Sequence, residues 1–437
     1  MVEEKANMKK DRRHFVKQTS IALTGLGTVG VLPKSILRRL QQLIDSKDHL
    51  TPQILASDEA FWREIKGAYT VSSSILNLNN GGVSPQPLVV QDAVERYNRF
   101  SNELPSHYMW HILDKGKEEI RRKLAKLAGC SPEEIAINRN TTEALDTVIF
   151  GLQLQEGDEV VLTKQDYPSM KFAWIQRAQR EGIVLKWLNF DFPIEDEGAI
   201  VDQFVSAFTD KTRVVHLTHV INWNGQILPV RKIAQEAHRR GIKVLVDGAH
   251  SFAHLNFKIP ELECDYFGTS LHKWLCAPFG TGLLYIRKEE IASIYPLFAA
   301  ENALSGDIRK FEHLGTRSIA IEEAIGQAVD FHNMIGSERK AARLRYLKQY
   351  WASRVSKYPK VHLGTSLDER FSGALAIFSI EGITPNQISS ALLSKWQIHT
   401  VAINYENISG VRITPNVYTL TEDLDRLIEA IYEMTKA

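Results

Sequence analysis

KVLVDGAH at residues 243–250 and YFGTSLHKW at residues 266–274 decide how this chain is read. Each is a short apolar run that ends on residues able to do chemistry: Asp247 and His250 in the first, Ser270, His272 and Lys273 in the second. Short apolar runs bounded by turn residues fit strands buried on both faces of a parallel sheet. The pattern recurs in EIAINR 134–139, DEVVLTK 158–164, VLKWLNF 184–190, TRVVHLTHV 212–220 and GTGLLYIR 280–287, separated by helical or loop stretches. This alternation predicts an α/β fold, with a three-layer α/β/α large domain around a mostly parallel sheet. From about 320 the pattern changes to a long helical stretch reaching 357, then FSGALAIFSIEG and two more helices near 385–395 and 421–435. That predicts a smaller α+β C-terminal domain over 321–437, behind a large domain over 46–320 whose N-terminal arm is 46–80.

Composition excludes several classes. The chain has 437 residues, 44% hydrophobic and 24% charged, within the range of globular proteins. Lys+Arg 53 against Asp+Glu 52 leaves a net charge of +1, so no basic excess drives nucleic-acid binding. Three dispersed cysteines, Cys130, Cys264 and Cys276, offer neither a disulfide framework nor a CxxC metal site. After residue 50 no stretch of 18 or more uncharged apolar residues appears, so no membrane-spanning helix is expected in the body. The first 45 residues differ. KKDRRHFVK (9–17) precedes a weakly apolar run, TSIALTGLGTVGVLP (19–33), in the order of an export signal. Paired Arg12 and Arg13, then Phe15 and Lys17, resemble a twin-arginine signal, which implies an extracytoplasmic location; a basic helix start with a buried helix behind it, in a cytoplasmic protein, fits the same letters.

In an open parallel sheet, ligands bind at the carboxyl ends of the strands. An Asp ending a buried strand must be paired or hydrogen-bonded, and a helix N-cap role would account for it as well. Lys273, taken alone, also reads as a solvated surface group. Together, at neighbouring strand ends, Asp247 and Lys273 can face one ligand. A lysine amine forms a Schiff base with an aldehyde cofactor, and an Asp can keep a pyridinium nitrogen protonated. NRNTTEAL (138–145) starts a helix after a strand, so Thr141, Thr142 and the free amides there make an anion site; an ordinary Thr cap fits the same letters. His216, His219, His250, His254 and His272 raise the question of zinc, but no metal-ligand spacing supports it.

NRNTTEAL, DYP (166–168), INWNGQILP (221–229), VDGAHSFAH (246–254), TSLHKW (269–274), GTGLLY (280–285), EHLGTRS (312–318) and GVRITPNVY (410–418) follow one another in an order that resembles the class V aminotransferases, fold-type I pyridoxal-phosphate enzymes. The resemblance spans about 75 to 435 and looks strongest to the isopenicillin N epimerase-like branch. It implies that pyridoxal 5'-phosphate is carried on Lys273 and that Asp247 binds its pyridine nitrogen. It implies that Tyr167 stacks on the ring, that Asn222 approaches its phenolic oxygen and that His250 lies beside it. Thr141, Thr142, Ser270 and His272 would hold the phosphate. Thr316 would reach the phosphate of a neighbouring subunit, which implies a homodimer with shared sites. Arg412 would take the substrate α-carboxylate as a planar fork, with Arg317 a candidate for a second acid group.

The implied activity is at Cα of an amino acid or amino-acid-derived substrate, by epimerisation or transamination, with Lys273 as general base. IHTVAINYENISGVR (398–412) has no cysteine where the desulfurases of this class carry a reactive one. Cysteine-independent carbon–sulfur lysis and a non-catalytic binding protein remain as alternatives. Substrate selectivity is expected from loop 102–113, around ELPSHYMWHIL, where Tyr108, Trp110 and His111 are candidates to line the pocket.

Overall fold

The computed structural model describes residues 31–436. The paired arginines of the expected signal lie outside these residues. Its central sheet has seven strands in the order Ile135–Asn138, Gly282–Ile286, Tyr266–Ser270, Lys243–Asp247, Thr212–Thr218, Glu159–Thr163, Val184–Leu188. Gly282–Ile286 runs antiparallel to both neighbours and every other pairing between adjacent strands is parallel. The central strands are buried on both faces, with Val215, Leu217, Val244, Leu245 and Val246 all at zero exposure. That burial is why they read as continuous apolar runs instead of alternating ones. Helices cover both faces and generate two apolar cores, one on each side of the sheet.

A third core belongs to the C-terminal part. It packs a four-stranded antiparallel sheet, in the order Val401–Tyr405, Ile408–Ile413, Ala376–Ile380, Val361–Leu363, against helices Ser337–Val355, Pro385–Trp396 and Thr421–Lys436. The change of core falls inside helix Ser337–Val355, where Leu344 joins the first core and Leu347 the third. The expected boundary at 320 is therefore earlier than the packing boundary, because helix Ile325–Ile335 still buries Ile325, Val329 and Phe331 in the large core. The long helical stretch is also three helices, Ile319–Glu323, Ile325–Ile335 and Ser337–Val355. Leu76 and Leu78, in the expected arm of the large domain, pack into the third core, where Leu76–Asn77 pairs in parallel with Ile398–His399. Helix Val31–Ser46 lies, but for its last residue, in the span 1–45 assigned to signal and linker, yet buries Leu37, Leu40 and Ile44 against the body. The expected loop 102–113 is helical: Leu88–Glu103 continues through Pro105–His107 into a π-helical turn, Tyr108–Leu113. The apolar spacing there was too irregular to announce it.

One buried ion cluster fastens the loop that follows residue 311. Glu312 accepts hydrogen bonds from Arg121 at 2.6 and 3.0 Å, from Lys117 at 3.3 Å and from the Ile137 amide at 2.7 Å. Burial pushes the Glu312 carboxyl up, but Arg121 and Lys117 more than reverse this and hold it below its usual range. Its contribution is therefore present at neutral pH and is lost as pH falls through the lowered value. Replacing Glu312 with Gln removes the carboxylate that Arg121 and Lys117 share, leaving Arg121 with Glu118 and Lys117 with Asp114 and Glu322, so denaturant unfolding at neutral pH should show a loss of about 3 kcal/mol, the low end for a broken buried pair.

Candidate functional site

The strand register brings the predicted residues together at the carboxyl edge of the sheet. Asp247 ends its strand beside Thr218, while Gly268, two residues before Ser270, pairs with Asp247 from the other side. The chain then turns through Leu271 and His272 to Lys273. Lys273 Nζ lies 3.2 Å from His250 Nε2. Asp247 is buried and accepts the Ala249 amide at 2.9 Å.

The charges in this crevice oppose one another. Burial raises the Asp247 carboxyl, with the Ala249 amide, His216 and Lys273 pulling it back. Burial lowers Lys273 to about 8, against the pull of Asp247 and with the push of Arg412. Burial also drives His250 well below the usual histidine range, reinforced by Lys273 and Arg412. A neutral His250 can accept from the Lys273 ammonium through Nε2, leaving the proton of its ring on Nδ1.

Helix Thr141–Gly151 starts at the same edge. Asn140 caps it by accepting the Glu143 amide at 2.9 Å. Ser270 Oγ accepts the Thr141 amide at 2.9 Å and lies 2.7 Å from Thr141 Oγ1. Gly282 is required here, since a Cβ would come within 2.6 Å of the Asn140 nitrogen. The result is a helix N-terminus with two hydroxyls, suited to an anion. His272 donates from Nδ1 to the Thr281 carbonyl at 3.0 Å, which leaves Nε2 as its second polar atom.

Arg412 comes from the small sheet, paired with Ile377 and Val401. It is buried, donating to the Asn222 carbonyl at 2.8 Å and to Asn79 Oδ1 at 2.9 Å. Its hydrogen-bond partners among the described residues are not acidic, and burial lowers it to about 10. Tyr167, at the start of helix Pro168–Glu181, is 43% exposed and lies within electrostatic reach of Arg412. Tyr167 stacks on Trp223 at 6.2 Å, and Trp223 on Tyr405 at 4.1 Å.

That stack belongs to a clasp between the small sheet and the large domain. Tyr405 donates to the Asp166 carbonyl at 3.2 Å, Gln165 donates to Asn407 Oδ1 at 2.8 Å, and Lys171 pairs with Glu406 at 2.6 Å. Asn407 reaches the Phe190 carbonyl at 2.9 Å and Asp191 at 2.7 Å. The cysteine-free stretch 398–412 is thus largely a hairpin that docks on the large domain.

Arg317 and Thr316 are not joined to this cluster within one chain. Both oxygens of Glu322 occupy the Arg317 fork, one of them at 3.0 Å, so an internal carboxylate fills the place assigned to a second substrate acid. Thr316 is exposed on the same loop. Tyr108, Trp110 and His111 lie on the π-helical turn, where Tyr108 stacks on Phe100 at 4.2 Å and Trp110 is exposed. The histidines considered for zinc do not gather: among the described residues no three His, Cys, Asp or Glu side chains form a group that could hold a metal ion.

Sequence reasoning missed the segment 78–84. Asn79 holds Arg412, Gly81 donates to Thr414 Oγ1 at 2.9 Å, and the Ser84 amide donates to the His272 carbonyl at 3.0 Å. Gly81 lies so close that a Cβ would be 3.3 Å from His250 Cε1. The signal was the Asn-Asn-Gly-Gly run, which also fits an ordinary turn.

The crevice fits an aldehyde phosphate with a ring nitrogen. His250 Nδ1, Asn222 Oδ1 and Arg412 Nε are buried there with no partner in the protein. Buried polar atoms are ordinarily satisfied, so three orphans converging beside an amine and a carboxylate point to an absent polar ligand.

The chain also resembles known proteins. The model of the family "Aminotransferase class-V" matches residues 76–427. The isopenicillin N epimerase of Streptomyces clavuligerus is 28% identical over 86% of this chain and 99% of its own. A probable cysteine desulfurase of Halobacterium salinarum is 31% identical over 85% of this chain and 93% of its own. Among solved structures, a cysteine desulfurase of Escherichia coli superposes with a TM-score of 0.76 at 20% identity, covering 86% of this chain and 98% of that one. A cystine C–S lyase complexed with cysteine persulfide gives 0.74 at 22%, covering 83% and 98%. Both share this fold, which is of fold type I.

The lowered Lys273 pKa has a direct consequence for its reactivity. Only the neutral amine attacks an aldehyde. Borohydride trapping of pyridoxal phosphate on Lys273 should therefore gain rate as pH rises through about 8, well below the 10.5 of an ordinary lysine. A profile still rising at pH 10, read by mass spectrometry of the labelled peptide, would contradict the burial described here.

Proposed function

Because the chain belongs to the class V aminotransferase family, with pyridoxal 5'-phosphate as its cofactor, we propose that it acts at Cα of an amino acid or amino-acid-derived substrate as an epimerase or aminotransferase. The observation that carries this is the Lys273 amine, 3.2 Å from His250 Nε2, in a crevice that also holds Arg412 buried without an acidic partner among the described residues. Lys273 would carry the cofactor; Thr141, Thr142, Ser270 and His272 would hold its phosphate; Asp247, Tyr167, Asn222 and His250 would surround its ring. When bound, the cofactor supplies an electron sink for the charge left at Cα as a proton departs.

The chain's own residues do the rest. Arg412 binds the substrate carboxylate, and its bonds to Asn79 Oδ1 and the Asn222 carbonyl fix the guanidinium before substrate arrives. Holding the carboxylate sets which substituent of Cα faces Lys273. With its amine released, Lys273 Nζ would take that proton as general base, a role that burial favours by lowering its pKa to about 8. His250 Nε2 accepts a hydrogen bond from the same nitrogen and steadies it in either protonation state. Asp247, anionic, supports the ring nitrogen. Thr316 of one subunit completes the phosphate site of the other in a homodimer, and residues 1–45 direct export by the twin-arginine route.

A second reading is carbon–sulfur lysis that needs no thiol of the protein. The desulfurase relatives raise sulfur chemistry, but the cysteines here are poor nucleophiles. Burial pushes Cys130 up to about 12 and Cys264 higher still, while Cys276 is enclosed between the Trp274 carbonyl and Asn416. A panel of D- and L-amino acids, small peptides and thioethers in heavy water separates the readings. Exchange of the Cα proton with retention of the side chain is expected, and release of a thiol together with a keto acid and ammonia from thioethers would favour the lyase. Lys273→Ala should abolish both the visible band and exchange, whereas Arg412→Ala should keep the band and raise KM at least tenfold. A wild-type protein that stays colourless with added cofactor ends the proposal.

A further inference from the structure

One buried histidine at this edge of the sheet has no part in the chemistry above. His216 belongs to strand Thr212–Thr218, where it pairs with Leu245 while Thr218 pairs with Asp247. Residues two apart on a strand share a face. His216, Thr218, Leu245 and Asp247 therefore share one, and His216 is the diagonal neighbour of Asp247, a separation that ring side chains reach across.

The tautomer of His216 follows from its partner. Trp174 approaches His216 Nδ1 with its indole nitrogen at 3.4 Å. An indole N–H only donates, so Nδ1 is the acceptor and the neutral ring carries its proton on Nε2. Burial keeps the ring neutral, lowering its pKa to about 4 against the pull of Asp247. His216 is at zero exposure, and Nε2 has no partner in the protein. A buried donor left unpaired costs free energy, so it needs an acceptor. Asp247 is the charged group that His216 feels most; Asp247 in turn faces Lys273 and Asp166, and Asp166 is held by Thr218 Oγ1 at 2.7 Å and the Thr163 amide at 2.7 Å.

We propose that His216 is a positioning residue for Asp247, its Nε2–H supporting the carboxylate from within the sheet through one buried water. A water with a donor below and a carboxylate above satisfies both buried groups. The support keeps Asp247 anionic and oriented toward the cofactor's ring nitrogen, and it acts at all pH values where the ring stays neutral. The inference rests on the cofactor reading above, but the pairing itself does not need the cofactor.

Two measurements test it. In apoprotein labelled with 15N-histidine, His216 should show the Nε2–H tautomer, and its proton resonance should move in Asp247→Asn. A proton on Nδ1, or a resonance indifferent to Asp247, overturns the proposal. In the cofactor-loaded protein, His216→Phe should weaken pyridoxal-phosphate binding about tenfold and shift the pH at which the visible band changes, while His216→Asn, which keeps a donor, restores most of both. Wild-type affinity and pH profile in a folded His216→Phe protein would also overturn it. If the wild type binds no cofactor, the functional reading fails and the resonance experiment still decides the pairing.

Discussion

An ammonium and a carboxylate share one water-poor crevice, and the register of two parallel strands puts them there. Asp247 pairs with Gly268, and the strand that Gly268 belongs to leads through Ser270 to Lys273. Neither charge is comfortable. Burial raises the acid and lowers the base, and their mutual attraction only partly offsets this. The stable alternative in an ordinary core would be two apolar residues, since paired buried charges seldom add net stability. Retaining them leaves an amine near neutrality beside a fixed anion, which is the state a nucleophile and general base requires.

The rest of the architecture serves that crevice from two sides. The large sheet supplies Asp247, Ser270, Lys273 and the helix start at Thr141. The small sheet supplies Arg412, and bonds to Asn222 and Asn79 tie it to both the large domain and the N-terminal segment. His254 adds a further tie: it donates to the His250 carbonyl at 2.7 Å, accepts the Ala374 amide at 2.7 Å and stacks on Trp274 at 4.0 Å, next to Lys273. Arg412 and Lys273 are thus held in one frame despite arising from different cores.

Much of this was legible in the letters. Strands buried on both faces announce themselves as unbroken apolar runs, and their terminal Asp, Ser and Lys stand out because polar residues there need a reason. The Thr141 helix start was readable because capping has a local signature. What escaped depends on contacts between distant segments. Asn79 and Gly81 look like any turn until Thr414 and His250 are placed against them. Arg317 resembles a free cation until Glu322, five residues on, is seen to fill its fork. The helical turn at 108–113 lacks the regular spacing that reveals a helix, and the domain boundary sits inside a continuous helix that no break in sequence marks.

The clasp of Tyr405, Glu406 and Asn407 has a consequence for how a guest is received. Swinging the small sheet away would break the stack on Trp223, the Lys171 ion pair and the amide bonds to Gln165 and Phe190 together. Gaping and shutting about a free hinge is therefore costly, and the ordering entropy is lost when the chain folds, before any ligand docks. Such a mould chooses by shape: a molecule that matches its walls enters at little conformational expense, and one that does not finds no softer contour to induce.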